Sequence, residues 1–260
     1  PERDGKRLIV QPNTFNMYCH REPRFYLTVV WNGQWFKWEN RNTNFLYGQP
    51  DGGPTHDAPQ NGYLNRSRVS LDYIPRDNNH PYRPAIIFRM AEAYLSYAEA
   101  LNESSERMSH KQEILDNLNK IRHRAGIAEY GTGTDENGFT RIKINFSDQK
   151  EVRRLIHKER RVEFVGEGVR YHDLRRWKTA HYGIGNLNEQ GENPDWGVNG
   201  PDYGMNYYGT EYTDQGDNAF FKRTKYMDRV YPRKFYWYPI HQSEIDKDPT
   251  LVQGPFWLGE

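Results

Sequence analysis

The chain has 260 residues, enough for one large domain or two smaller ones with a real core. Its formal net charge of +1 gives no electrostatic case for nucleic acid or an anionic membrane as a partner. Hydrophobic residues make up only 35% but aromatics 15%, so much of the apolar surface consists of rings, many of them tyrosines that pack on one side and hydrogen-bond on the other. The single cysteine, Cys19, excludes an internal disulfide and reads as a small buried apolar residue. No run approaches the roughly 18 apolar residues of a spanning helix. The chain opens on PERDGKR, with neither Met nor a signal peptide, and is expected to be a piece of a longer protein.

Residues 1–23 are polar and interrupted by prolines. From Arg24 to Trp31, RFYLTVVW, β-branched and aromatic residues dominate, and Asn32-Gly33 offers a type I′ turn before Gln34–Trp38, which predicts a β-hairpin. Residues 39–82 are rich in Asn, Gly, Pro and Asp and predict a long ordered loop with turns. Arg83–Asn102 predicts a largely buried helix. Pro84 suits its first turn, and Ile87, Met90, Ala91, Tyr94, Ala98 and Leu101 form a stripe widened by Phe88 and Leu95. A second helix is expected over Lys111–Ala125, with Ile114, Leu118, Ile121 and Ala125 at 4-3-4 spacing and Gly126 as its stop. Residues 127–146 form a Gly/Thr/Asp-rich connection with a short strand at Arg141–Phe146.

Ser147–Ala180 is the stretch around which the rest is organised. Ser147 is a good N-cap, and Asp148 and Glu151 place negative charge at the positive end of the helix dipole. Val152, Leu155, Ile156, Val162 and Val165 share one side of the helix, yet Glu159 and Glu163 lie in the middle of that arc, with Arg160 and Glu167 on its edge. A carboxylate among apolar neighbours needs a cation and hydrogen bonds, or its desolvation costs several kcal/mol, roughly. Beyond the Gly166–Gly168 break, Arg170, Asp173, Leu174 and Trp177 share a face of a second helix. Arg170 is placed to reach back to the glutamates, and Arg122 flanks the preceding helix's stripe. The expectation is an inward-facing ion-pair network of Arg122, Glu159, Arg160, Glu163, Glu167, Arg170 and Asp173. A catalytic carboxylate pair is the competing reading, and the nearby arginines weigh against it because they keep every carboxylate ionised.

The spaced set Glu159, Arg160, Glu163, Phe164, Glu167, Gly168, Arg170, Asp173, Leu174, Arg176 and Trp177 resembles the signature of the SusD/RagB family of surface nutrient-binding lipoproteins. Arg89–Glu103, Asn119–Gly126 and the closing segment from Lys234 to Trp257 are similar to further family motifs, as is Pro23-Arg24, preceded here by Glu22. The tail departs from the pattern at Asp248 and at Gln253–Trp257. The resemblance implies a mainly α-helical fold with tetratricopeptide-style helix pairs and long loops, corresponding to a C-terminal half in which 1–82 is a hairpin and loop region, 83–180 the helical core and 181–260 loop-rich. It implies non-catalytic glycan capture and delivery to a SusC-like TonB-dependent transporter at the outer-membrane surface, with the lipid anchor on an N-terminal half that completes the protein.

Motifs for other chemistry are weak. The nine histidines lack metal-site spacing, and Asp135–Gly138 and Asp195…Asn199…Asp202 lack the alternating oxygens of a calcium loop, so neither a metal nor a cofactor is expected. No P-loop, dinucleotide fingerprint or nucleophile elbow is present. Sugars present C–H faces that stack on rings, which makes the aromatic clusters the ligand candidates: Trp31, Asn32, Trp35 and Trp38 around the expected hairpin, then Trp196, Tyr207 and Tyr208. The alternatives are a glycoside hydrolase or lyase, which needs a carboxylate with a raised pKa, and a tetratricopeptide adaptor, which needs an exposed apolar groove for a peptide.

Overall fold

A computed structural model describes residues 3–258 apart from 5–6, 9, 11, 37–38, 68, 70–77, 79–80, 83–84 and 184–196. The chain divides into two compact units, 1–168 with 203–224, and 169–202 with 225–260. Helices are the main regular structure, accompanied by small two-stranded ribbons.

The first unit carries β1 (Arg3–Asp4), β2 (Arg7–Leu8), α1 (Pro23–Thr28), β3 (Val29–Trp31), β4 (Trp35–Phe36), β5 (Arg41–Asn42), β6 (Tyr63–Asn65), α2 (Met90–Glu103), α3 (Lys111–Arg124) and α4 (Gln149–Glu163). Helix α2 packs against both α3 and α4. Ala91 and Ala98 are buried at those contacts, and their small side chains let the neighbouring backbones approach. Ile114, Leu118 and Ile121 of α3 and Val152 and Ile156 of α4 complete this core. Gly126 adopts φ +66° just past α3, where a residue with a Cβ is strained.

Several expectations are corrected here. Helix α2 begins at Met90, not Arg83: residues 85–89 are non-helical, Ile87 is 96% exposed, and Phe88 and Met90 are exposed too. The β-branched pair Ile86-Ile87 is a poor helix start, and Arg89 stays extended (φ −142°, ψ 155°), which directs its guanidinium into an ion-pair cluster. Pro84 lies outside the described residues. The N-cap of α4 is Asp148 rather than Ser147; its carboxylate accepts from the N–H groups of Lys150 and Glu151. Val165, expected on the buried arc, is exposed. Among the described residues, 141–146 form no strand, only an isolated bridge of Ile142 to Tyr130.

The expected hairpin is also replaced. Pro23 starts a short helix, its fixed φ suiting the first turn. The strand that follows is only Val29–Trp31, and it pairs antiparallel with β6 in the register Val29–Asn65, Val30–Leu64, Trp31–Tyr63. Asn32-Gly33 does turn the chain, with Gly33 at φ +90°, but β4 then pairs with β5. Around this meeting of ribbons lies an aromatic core of Tyr18, Tyr26, Trp31, Phe45, Phe220 and Phe221.

The second unit contains α5 (Val169–Arg176), most of the ribbon formed by β7 (Gly200–Gly204) and β8 (Thr224–Arg229), and α6 (Gln242–Lys247). Its core is Leu174, Ala180 and Tyr231. Arg175 ties α5 to the tail by donating to the carbonyls of Phe235 (2.6 Å) and Tyr236 (2.8 Å).

Candidate functional site

The carboxylates of α4 sit in a dense cationic setting. Glu159 meets Arg24 of α1 at 2.7 Å and Arg122 of α3 at 2.9 Å. Glu163 is held by Arg24 (3.1 Å), by Arg89 (2.5 Å) and by Arg124. Arg89 also forks onto Glu167 through Nε (2.9 Å) and Nη2 (2.8 Å), and its guanidinium lies 4.7 Å from the centroid of the Phe164 ring. Burial pushes the Glu163 carboxyl up, but the Arg89 hydrogen bond and the surrounding guanidinium charges outweigh it and hold the group below the usual carboxylate range. Glu163 is therefore ionised near neutral pH and has no proton to donate. Arg160 is buried but turns to α2, donating to Ser96 Oγ at 3.0 Å with Glu99 at 3.9 Å. Arg170 and Asp173 belong to the second unit, where Asp173 pairs with Arg176 (2.9 Å) and Arg170 lies over Trp177. Arg24, Arg89 and Arg124 were not anticipated as partners.

Of the aromatic candidates, the structure separates core from surface. Trp31 is fully buried against Tyr18, Phe25 and Tyr26, with ring centroids 5.4–5.8 Å away. Asn32 is 2% exposed, and its Oδ1 accepts from the Phe45 N–H at 2.7 Å. Both pack inside the first unit, and that burial argues against their expected role as ligand contacts. Trp35 is half-buried on β4. Trp38 and Trp196 lie outside the described residues.

Tyr207 and Tyr208, in contrast, join Tyr47 in a surface cluster with ring centroids 5.1–6.1 Å apart. Tyr208 is 69% exposed. Two loops build this platform. The Tyr47 N–H donates to the Gly209 carbonyl (2.8 Å), which joins the loop after β5 to the 205–213 loop. Tyr207 Oη donates to the Thr55 carbonyl (3.3 Å) and its ring lies against Gly53, where a Cβ would come within 2.6 Å. Beside the tyrosines stands a polar fork: Arg41 grips Asp51 through Nη1 (2.6 Å) and Nη2 (2.8 Å), and Asp51 accepts from the Asn44 N–H. Asn44 and Gln49 bond each other at the exposed edge. A Cβ at Gly52 would fall 2.0 Å from the Leu46 carbonyl oxygen, so Gly52→Ala must displace the backbone that carries Tyr47. It is expected to cost about 1–3 kcal/mol in denaturant melts of the first unit.

The Asp135 carboxylate accepts from the N–H groups of Glu129, Asn137 and Phe139, so turn geometry occupies its oxygens.

The chain matches the SusD family model over residues 4–257, and it belongs to that family. Members are in general binding proteins of glycan uptake at the cell surface, and the spaced motif of α4 and α5 identified it correctly. The SusD-like proteins P25 and P38 of Formosa agariphila are each 32% identical, over 109 and 103 residues, which is 42% and 40% of this chain and 18% and 19% of theirs. The solved SusD-like protein BF3747 of Bacteroides fragilis superposes with a TM-score of 0.61 at 26% identity, covering 93% of this chain and 40% of that one. The solved protein BT4246 shares the fold, with a TM-score of 0.64 at 24% identity over 91% of this chain and 38% of its own. The chain thus spans about two fifths of the solved relatives' length, and the predominantly helical fold with tetratricopeptide-style packing is that of the family. Among the described residues, no helix is long and apolar enough to cross a membrane.

Proposed function

We infer that this chain is part of a non-catalytic glycan-binding protein that captures oligo- or polysaccharide at the bacterial outer-membrane surface and passes it to a SusC-like TonB-dependent transporter. The observation that carries the reading is the cluster of exposed Tyr208 with half-buried Tyr47 and Tyr207, on loops that also carry the Arg41–Asp51 fork and the Asn44–Gln49 edge. Rings supply faces for sugar C–H groups, and the amides and the ion pair supply donors and acceptors for hydroxyls. Trp35, half-buried on β4, pairs with Asn42 and so faces the side of the ribbon opposite Arg41; it is a separate ring candidate.

Capture without bond breaking agrees with the chemistry of α4. Glycoside hydrolysis needs one carboxyl kept protonated near neutral pH, whereas Glu163 is held ionised by arginines. On this reading the rest of the family fold completes the protein and carries its lipid anchor.

The test is retardation on native gels containing single polysaccharides, run with the chain and with Tyr208→Ala. Removing the exposed ring is expected to weaken binding by about 1–2 kcal/mol, roughly five- to thirtyfold in Kd, with no change in melting temperature. Retardation identical in the variant moves the site away from the platform. Failure of every glycan to retard the protein overturns the reading.

A further inference from the structure

A pocket that shares no lining residue with the Tyr47–Tyr207–Tyr208 platform lies beside α3 and the 129–146 segment. Its volume is about 830 Å³, within the range of about 300–1,000 Å³ for sites that enclose a small ligand rather than a flat protein face. Its walls combine buried Leu115 and Phe146, the half-buried ring of Tyr94, and the cations Lys111, Lys120, Arg141 and Lys143.

The carboxylates on the same walls are largely engaged elsewhere. Glu129 is held by Arg141 (2.9 Å) and faces His123 (3.3 Å). Asp116 stands one turn before Lys120 on α3, yet it accepts from Gln112 Nε2 (2.8 Å), while Lys120 turns to Tyr94. Lys120 Nζ sits 4.5 Å from the Tyr94 ring centroid, and Lys111 Nζ sits 5.1 Å from that of Phe146. The ring faces hold these ammoniums in place, which lowers the ordering cost of using them. Among the described residues, no carboxylate pairs with Lys111, Lys120 or Lys143.

We propose that this pocket binds an acidic saccharide, a sugar segment carrying a carboxylate or a sulfate, through Lys111, Lys120 and Lys143. The mixture of wall groups selects this class. Asp116 and Glu136 accept well from hydroxyls but repel a densely charged anion, so the pocket suits a ligand with sparse negative charge and many hydroxyls. An acidic peptide supplies the charge without the hydroxyls. The proposal is independent of the tyrosine platform and adds a second site to it.

Isothermal titration of the 260-residue chain distinguishes the possibilities. The probes are trigalacturonate (carboxylate only), a κ-carrageenan tetrasaccharide (sulfate only), maltotriose and tetraglutamate. At least one acidic sugar is expected to bind. Lys111→Gln/Lys120→Gln should weaken it about tenfold or more, the loss of charge-assisted contacts, and added salt should weaken it further. Lys111→Arg/Lys120→Arg should largely retain binding, and the glutamine pair should weaken the acidic sugar just as strongly in a Tyr208→Ala background. Binding indifferent to the glutamine pair, an equal loss of maltotriose binding in that pair, tighter binding of tetraglutamate that the pair also weakens, or no heat with either acidic sugar each overturns the proposal. Because Tyr208→Ala reads the platform and the lysine pair reads the pocket, failure of one site is separable from failure of the other.

Discussion

Glu163→Ala is expected to lower the stability of the first unit by about 3 kcal/mol, at the lower end of the range for breaking a buried ion pair. The side chain is 1% exposed and meets three guanidinium groups. Its loss does not strand all of them: Arg24 keeps Glu22 and Glu159, Arg89 keeps its fork on Glu167, and Arg124 is more than half exposed. Glu159→Ala leaves Arg122, 10% exposed, with the Ala128 carbonyl (2.6 Å) and the Tyr130 hydroxyl (3.3 Å) as its hydrogen-bond partners among the described residues. Denaturant melts that leave either variant indistinguishable from the parent contradict a structural role for the network.

The same network sets a pH dependence. Glu163 has a folded pKa below its unfolded value, so its contribution is fully present above the ordinary glutamate pKa of about 4.3 and is lost as pH falls toward the folded value. Acid destabilisation below about pH 5 should therefore be shallower in Glu163→Gln than in the parent.

What the sequence makes legible is local. The 4-3 spacing of Ile114, Leu118 and Ile121 defines α3 within a residue of its observed end, because each residue's burial follows from its place on one helix face. The inward glutamates are equally visible, since a charge within an apolar arc demands a partner. Partner identity is not local. Arg24 lies 139 residues from Glu163 and Arg89 lies 74, and only the spaced Pro23-Arg24 and Arg89-x-Ala-Glu motifs hinted at either. Periodicity also misleads where it outruns the helix: Ile86–Phe88 continue the apolar pattern of α2, yet the chain there is non-helical and exposed. Tyr47 carried no signal, because its role comes from a contact with a loop about 160 residues away.

Trp31→Ala separates the two meanings that an aromatic cluster has in sequence. Alternating rings beside Asn-Gly look alike whether they face ligand or core. The ring of Trp31 is completely buried, in contact with Tyr18, Phe25 and Tyr26, and its strand pairs with β6. Truncation leaves a large cavity under the β3–β6 ribbon, at an expected cost of about 3–5 kcal/mol and a fall in Tm on the order of 10 °C. Trp31→Phe should cost much less, since the indole N–H has no acceptor among the described residues and no hydrogen bond is lost. A surface stacking residue behaves the other way, losing glycan binding at unchanged Tm, as expected of Tyr208. If Trp31→Ala melts like the parent but no longer binds glycan, the ring belongs to the ligand site and the aromatic core around it is misassigned.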